Sequence, residues 1–322
     1  MSEQKVQASL AKLRRLVCLS NEQNNPVTSV PTMLLPPEQH FLRSVAQEYY
    51  SGEGDIFDGG IWLGGCTDCF SKGLAGREDL PKRVVLHAYD MATAVDGHQH
   101  YLQRWGVDRK PGESTLDIIE KHIAAMPCSA QIEFHHGDIL HQEYPESIEI
   151  MFLDVCKTQS INYGMQQLFS RLIPGKSIII HQDYIHPWNP YIHATMGYLA
   201  DFFEPVGAVW FNSMVFLLKK EIPQAVLSKD PYQYASTEEI LGYIMKYAEM
   251  LKSDAQVTEL HLACAIMLYD KGAYEKCFEF LNAVQTRDCF SDEVRNVTEF
   301  IMNNMQNTLD VLSKSKKYTG EG

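Results

Sequence analysis

The chain has 322 residues, of which 45% are hydrophobic and 21% charged, and it carries a net charge of −13. That length fits one large α/β domain plus a smaller unit, with the composition of an ordinary globular protein. The acidic balance argues against a nucleic-acid surface, and no apolar stretch approaches the roughly 20 residues that span a bilayer.

The first residues, Met1-Ser2-Glu3-Gln4-Lys5, are polar with no apolar signal core behind them, so a cytoplasmic location is expected. Eight cysteines are scattered. Cys66 and Cys69 make a lone CxxC, and a thiolate zinc site would need further ligands. Reduced structural thiols are the plain reading.

Residues 6–19 have helical spacing, and 20–37 read as a connecting loop rich in Asn, Pro, Thr and Ser. A second helix is expected over 37–50. Strands then alternate with helices: strands near 56–57, 83–89, 131–135, 148–153 and 177–181, helices near 66–75, 115–125 and 163–172. Runs such as Ile150-Met151-Phe152-Leu153 and Ile178-Ile179-Ile180 are nearly all apolar, as a sheet covered on both faces requires. This alternation predicts an α/β fold with a doubly wound, mostly parallel sheet whose ligands sit at the carboxyl ends of the strands. Two short apolar runs at 208–212 and 214–219 read as closing strands, of antiparallel direction. Beyond Pro223 only helices are expected: one started by a capping box at Ser236-Thr237-Glu238-Glu239, then 258–271, 274–284 and 291–312. The tail, 313–322, reads as disordered. The chain thus divides into an N-terminal helix and loop (1–36), a sheet domain (37–222) and a helical C-terminal extension (223–322). That aromatic-rich extension offers a surface for a homo-oligomer.

The strand ends carry the chemistry. The first ends in Asp58, followed by Gly60, Gly64 and Gly65, where glycine lets a ligand lie against the backbone. The acid there disfavours a pyrophosphate and favours a cationic or hydroxyl-bearing ligand. The second ends in Asp90, the third in Gly137-Asp138, the fourth in Asp154-Val155-Cys156-Lys157 and the fifth in His181-Gln182-Asp183-Tyr184. Polar groups at all five ends are hard to ascribe to packing alone. His135 and His136 are adjacent on a strand and point to opposite faces, so they do not make a metal pair with each other.

On these residues the chain resembles the class I S-adenosylmethionine-dependent methyltransferases, most of all the O-methyltransferases of macrolide sugars and more distantly those of catechols. The matching segments are Asp58-Gly59-Gly60-Ile61-Trp62-Leu63-Gly64-Gly65, Phe152-Leu153-Asp154-Val155-Cys156-Lys157, Leu172-Ile173-Pro174-Gly175 and Gln182-Asp183-Tyr184. They lie within residues 37–220. The resemblance implies a Rossmann-like sheet that holds S-adenosyl-L-methionine. Asp58 and Gly60 would lie against its methionine part, Asp90 at the ribose and Asp138 at the adenine, with Gly64, Gly65 and Asp154 also binding the cofactor. It further implies a Mg²⁺ ion on Asp154, Gln182 and Asp183, with Lys157 taking the proton from a hydroxyl of a small-molecule acceptor.

Gln182 departs from the acid pair usual in the sugar-modifying members, which leaves the metal open. His181, with His186 and His193 nearby in sequence, offers a metal-free base. Two other readings stand beside the enzyme. One is a methyltransferase-fold scaffold that binds the cofactor without transferring methyl. The other is a nicotinamide oxidoreductase, disfavoured because the first loop lacks Gly-x-Gly-x-x-Gly.

Overall fold

The computed structural model describes residues 3–251, 253–285, 295–296 and 298–304. The expected tail and most of the helix placed at 291–312 lie outside these residues.

The five expected strands are present as parallel strands β1 (Asp55–Gly59), β2 (Leu86–Asp90), β3 (Ile132–His136), β4 (Ile148–Leu153) and β5 (Ile178–His181). β6 (Phe203–Val209) and β7 (Ser213–Leu218) pair antiparallel, and β7 also pairs antiparallel with β5. The order across the sheet is β3-β2-β1-β4-β5-β7-β6. This is the mostly parallel, Rossmann-like sheet the sequence predicts. The chain winds outward from β1 to β3 and then returns to place β4 on the other side of β1. The crevice therefore opens between the carboxyl ends of β1 and β4.

Every residue of β4, β5 and β7 is buried. One face of the sheet packs Ile56, Ala88, Ile150, Phe152, Ile178 and Leu217 beneath helices α1 (Glu3–Asn21), α2 (Pro36–Ser44) and α3 (Gly65–Leu74). α2 runs on into a π-helical turn, Val45–Tyr49, so the helix expected over 37–50 is present with a changed pitch at its end. Further helices at Gln99–Arg104 (α4), Leu116–Ala124 (α5) and Gln159–Gln167 (α6) follow β2, precede β3 and follow β4 respectively.

At the amino end of β4, Glu149 is fully buried yet well satisfied. It accepts from the backbone N–H groups of Ser51 (2.6 Å) and Glu53 (3.0 Å), and Lys176 lies 3.2 Å away. That carboxylate ties the loop before β1 to the sheet and has no capacity left for a ligand.

By its internal contacts the chain divides into two units: 1–184 with 199–229, which holds the sheet, and 185–198 with 230–322. Among the described residues the second unit is helical. It includes the helix Pro190–Tyr198, for which no element is expected from the sequence. Eight of its nine residues are buried, so no apolar stripe alternates with a polar face to signal a helix. The capping box at Ser236 and Glu239 is present, and Asp254–Asp270 and Tyr274–Gln285 form a helical hairpin turned at Gly272, whose φ is +72°.

Candidate active site

Four of the acids at the strand ends converge. Asp58 feels the negative charges of Asp154 and Asp90, and Asp154 in turn feels Asp183 and Asp90. Asp138, at the end of β3, is exposed and held locally. Its carboxylate accepts from the Leu140 N–H at 3.0 Å and lies 3.1 Å from His141 Nδ1.

The loop after β1 is shaped by close approaches. Gly60 has φ +88°, and a Cβ there would lie 2.7 Å from the backbone carbonyl of Asp154. Gly65 opens α3 against the 20–37 segment, where a Cβ would come within 2.4 Å of the Thr32 side chain. Gly64, at φ +98°, is the left-handed residue before α3. Gly60 and Gly65 thus pack the loop onto its neighbours.

Asp58 lies beneath this loop with no exposure. The Thr67 hydroxyl donates to its Oδ2 at 2.7 Å, while Oδ1 is buried without a hydrogen-bond partner. The Cys66 thiol adds only a weak favourable contact. Burial, opposed by these donors, pushes the carboxyl pKa up to about 7. The contrast with Glu149 is plain: one buried acid is saturated with donors and the other is not.

Asp90 is partly exposed and rigidly presented. Its Oδ2 accepts from the Trp62 N–H and its Oδ1 from the Ala92 N–H, both at 2.8 Å. Trp62 (φ 52°) and Ala92 (φ 51°) are two of the three non-glycine residues at positive φ among those described. Two strained residues thus aim their amides at one carboxylate. Strain of this kind persists where the surroundings over-determine it, and it clusters at ligand sites. Each oxygen keeps lone-pair capacity for a further donor.

Between β4 and β5, the Lys157 ammonium bridges Asp154 Oδ1 at 2.6 Å and Asp183 Oδ2. Lys157 is half-exposed, and both acids are largely buried. Burial raises the Asp154 pKa to about 6, against the pull of Lys157. Burial would lower that of Lys157, but the two carboxylates outweigh it and push the pKa up. Lys157 therefore holds its proton, whereas proton abstraction requires it neutral. Gln182 is buried beside them, its N–H donating to the Leu153 carbonyl at 3.1 Å. His181 is buried at the end of β5 in the sheet unit, while His186 and His193 belong to the helical unit.

Two residues that the sequence reading passed over belong to this site. Glu38, from α2, is buried, accepts from Ser213 Oγ at 2.6 Å and the Leu35 N–H at 3.0 Å, and feels both Asp154 and Asp183. Its pKa is pushed up to about 7, mainly by burial. Its Pro-Pro-Glu-Gln context marks a helix start, and nothing local links it to Asp154. His98, from the loop before α4, has a buried Nδ1 without a hydrogen-bond partner. Burial and the nearby Lys157 charge lower its pKa. Two surface hollows are lined by other residues, one by Glu238 and Tyr274 in the helical unit and one by Leu10 and Pro174 in the sheet unit.

No family model matches the chain, and no curated protein matches it in sequence. Among solved structures it is similar to the O-methyltransferase NovP, at 14% identity and TM-score 0.44, over 67% of this chain and all of that one. It is also similar to CalS11, a TDP-rhamnose 3′-O-methyltransferase of calicheamicin biosynthesis (13%, TM-score 0.41, 68% and 95% covered). A third is the SAH-bound methyltransferase PaMTH1 of Podospora anserina (11%, TM-score 0.38, 66% and 88% covered). Likeness at this level says nothing of chemistry. The strand order and the closing antiparallel pair make a mostly parallel, Rossmann-like sheet.

Proposed function

We propose that this protein is an S-adenosyl-L-methionine-dependent O-methyltransferase acting on a hydroxyl of a small molecule, of the hydroxylated, sugar-bearing kind that the sequence resemblance suggests. The observation that carries the reading is the set of mutually interacting carboxylates of Asp58, Asp90, Asp154 and Asp183 at the β1–β4 crevice. Asp58 in particular is an under-satisfied buried acid at a glycine loop, where a cationic ligand relieves it.

The cofactor, when bound, supplies an electrophilic sulfonium methyl. The chain's residues bind and orient. Asp90, with both oxygens fixed by backbone amides, accepts the two hydroxyls of a ribose. Asp58 acts from beneath the loop as a negative field that favours an ammonium or sulfonium above it. Asp138, exposed at the rim, lies toward the adenine end. The acceptor hydroxyl meets the Asp154–Lys157–Asp183 cluster. There Lys157 keeps its own proton, and a carboxylate, with Asp154 titrating near neutrality, takes the hydroxyl's proton.

Asp154, Asp183 and Gln182 are oxygen donors of the type Mg²⁺ takes. The ammonium of Lys157 holds the place between the two acids, so a divalent ion has to displace it. That arrangement does not fit a resident metal, and no step here runs through one.

The test is methyl transfer from labelled S-adenosyl-L-methionine to a panel of hydroxylated acceptors, nucleotide sugars among them. Transfer that Asp90→Ala abolishes supports the reading. Tight cofactor binding with no transfer to any acceptor turns it toward a non-methylating scaffold. Binding of NADH alone refutes it.

A further inference from the structure

On the flank of the sheet, β2 and β3 place three potential metal ligands on one face. In the parallel register His87 lies opposite Glu133 and Tyr89 opposite His135, so residues two apart on each strand share that face. Their ligand atoms converge. His87 Nδ1 is 3.1 Å from His135 Nε2, His87 Nδ1 is 3.5 Å from Glu133 Oε2, and His135 Nε2 is 3.7 Å from the same oxygen.

A triangle with these sides has a circumradius of about 2.0 Å, the length of a zinc–imidazole or zinc–carboxylate bond. One ion just off the plane of the three atoms would lie at bonding distance from all of them. A proton shared between the two imidazoles satisfies only that pair. It leaves the Glu133 oxygen facing the same two nitrogens from 3.5 and 3.7 Å.

The surroundings fit a metal. On the far side of the His87 ring, Nε2 lies 3.5 Å from Asp55 Oδ2, and Asp55 is itself held by Arg83 at 2.6 Å. A carboxylate there keeps the Nε2 proton and leaves Nδ1 free to coordinate. The rings are held in a column: His135 stacks on Tyr89 at 4.4 Å, and Tyr89 on Phe57 at 4.6 Å. Both imidazoles are only 13% exposed while Glu133 is 52% exposed, so a fourth position opens to solvent on the Glu133 side.

We propose that His87, Glu133 and His135 bind a zinc-class divalent ion, with water as fourth ligand, fastening edge strand β3 to β2. Nitrogen donors of this number select Zn²⁺ and its neighbours over Mg²⁺. The site is separate from the strand-end rim and does not depend on the function proposed for it.

The full chain, treated with chelator and dialysed, is titrated with Zn²⁺ by calorimetry and with Co²⁺ by visible absorption. The expected result is one equivalent of zinc bound, a rise in thermal midpoint, and the absorption of four-coordinate cobalt. His135→Phe keeps the stack on Tyr89, and Glu133→Gln changes an exposed side chain, so both should fold. Each should lose at least 100-fold in zinc affinity together with the cobalt band, and Asp55→Asn should lose about 10-fold. Zinc bound equally by the wild type and both ligand variants overturns the proposal, as does an absence of stoichiometric binding to the wild type.

Discussion

Replacing Asp90 by alanine removes the acceptor of two backbone amides at once, those of Trp62 and Ala92. A hydrogen bond to a charged group contributes about 1.5–3 kcal/mol, so the pair contributes about 3–6 kcal/mol. Against this, each of the two donors is a non-glycine residue at positive φ, a conformation that costs about 1–3 kcal/mol. Once the carboxylate is gone both loops can relax, returning about 2–6 kcal/mol. The two effects largely offset, and Asp90→Ala should stay folded, losing no more than about 4 kcal/mol in urea unfolding. Ligand binding has no such offset. Two charge-assisted hydrogen bonds to a ribose diol are worth at least about 3 kcal/mol, or a 100-fold loss in affinity. Urea unfolding and calorimetry with S-adenosylhomocysteine measure the two quantities separately. An unchanged affinity, or a stability loss beyond about 5 kcal/mol, would refute this reasoning.

Other outcomes follow from the same site. Burial raises the pKa of Asp58 and Glu38 to about 7 and of Asp154 to about 6, whereas in the unfolded chain such groups titrate near 4. The folded protein thus holds more protons between these values. The stability these groups contribute is full below about pH 4 and is lost as pH rises through 6 to 7. The ligand-free protein should therefore lose stability in urea between pH 5 and pH 8 through these groups, and Asp58→Asn should shrink that loss; an equal loss in both proteins counts against it. Lys157→Met leaves Asp154 and Asp183 without their ammonium, so Mg²⁺ should bind at least tenfold tighter than to the wild type by calorimetry. Equal affinity would mean that the lysine does not occupy the cation's place. Gly60→Ala sets a Cβ 2.7 Å from the Asp154 carbonyl at φ +88°, and should cost about 2–4 kcal/mol in urea unfolding. A loss under about 1 kcal/mol would show that the loop can move away.

The middle of the sheet was legible because β4 and β5 are short, mostly apolar and buried on both faces; β4 matches the strand expected over 148–153 residue for residue. The strand-end acids were legible because each stands at or just beyond the end of an expected strand. What stayed hidden depends on three-dimensional contact. Glu38 reaches the site across more than a hundred residues of chain, and its local sequence says only that a helix begins. Asp58 and Glu149 are both buried acids, and only the donors around each distinguish the under-satisfied one from the saturated one. His135 was legible as a residue pointing away from His136. Its partner proved to be His87, on the neighbouring strand. The helix Pro190–Tyr198 lacked a polar face to mark it.

The most direct test is a crystal grown with S-adenosylhomocysteine. The ribose hydroxyls should lie within hydrogen-bond reach of Asp90, with the amino group over the glycine loop above Asp58 and the sulfur facing Asp154. A nucleoside lying elsewhere, or no binding with the Asp154–Lys157–Asp183 bridge intact, would contradict the account.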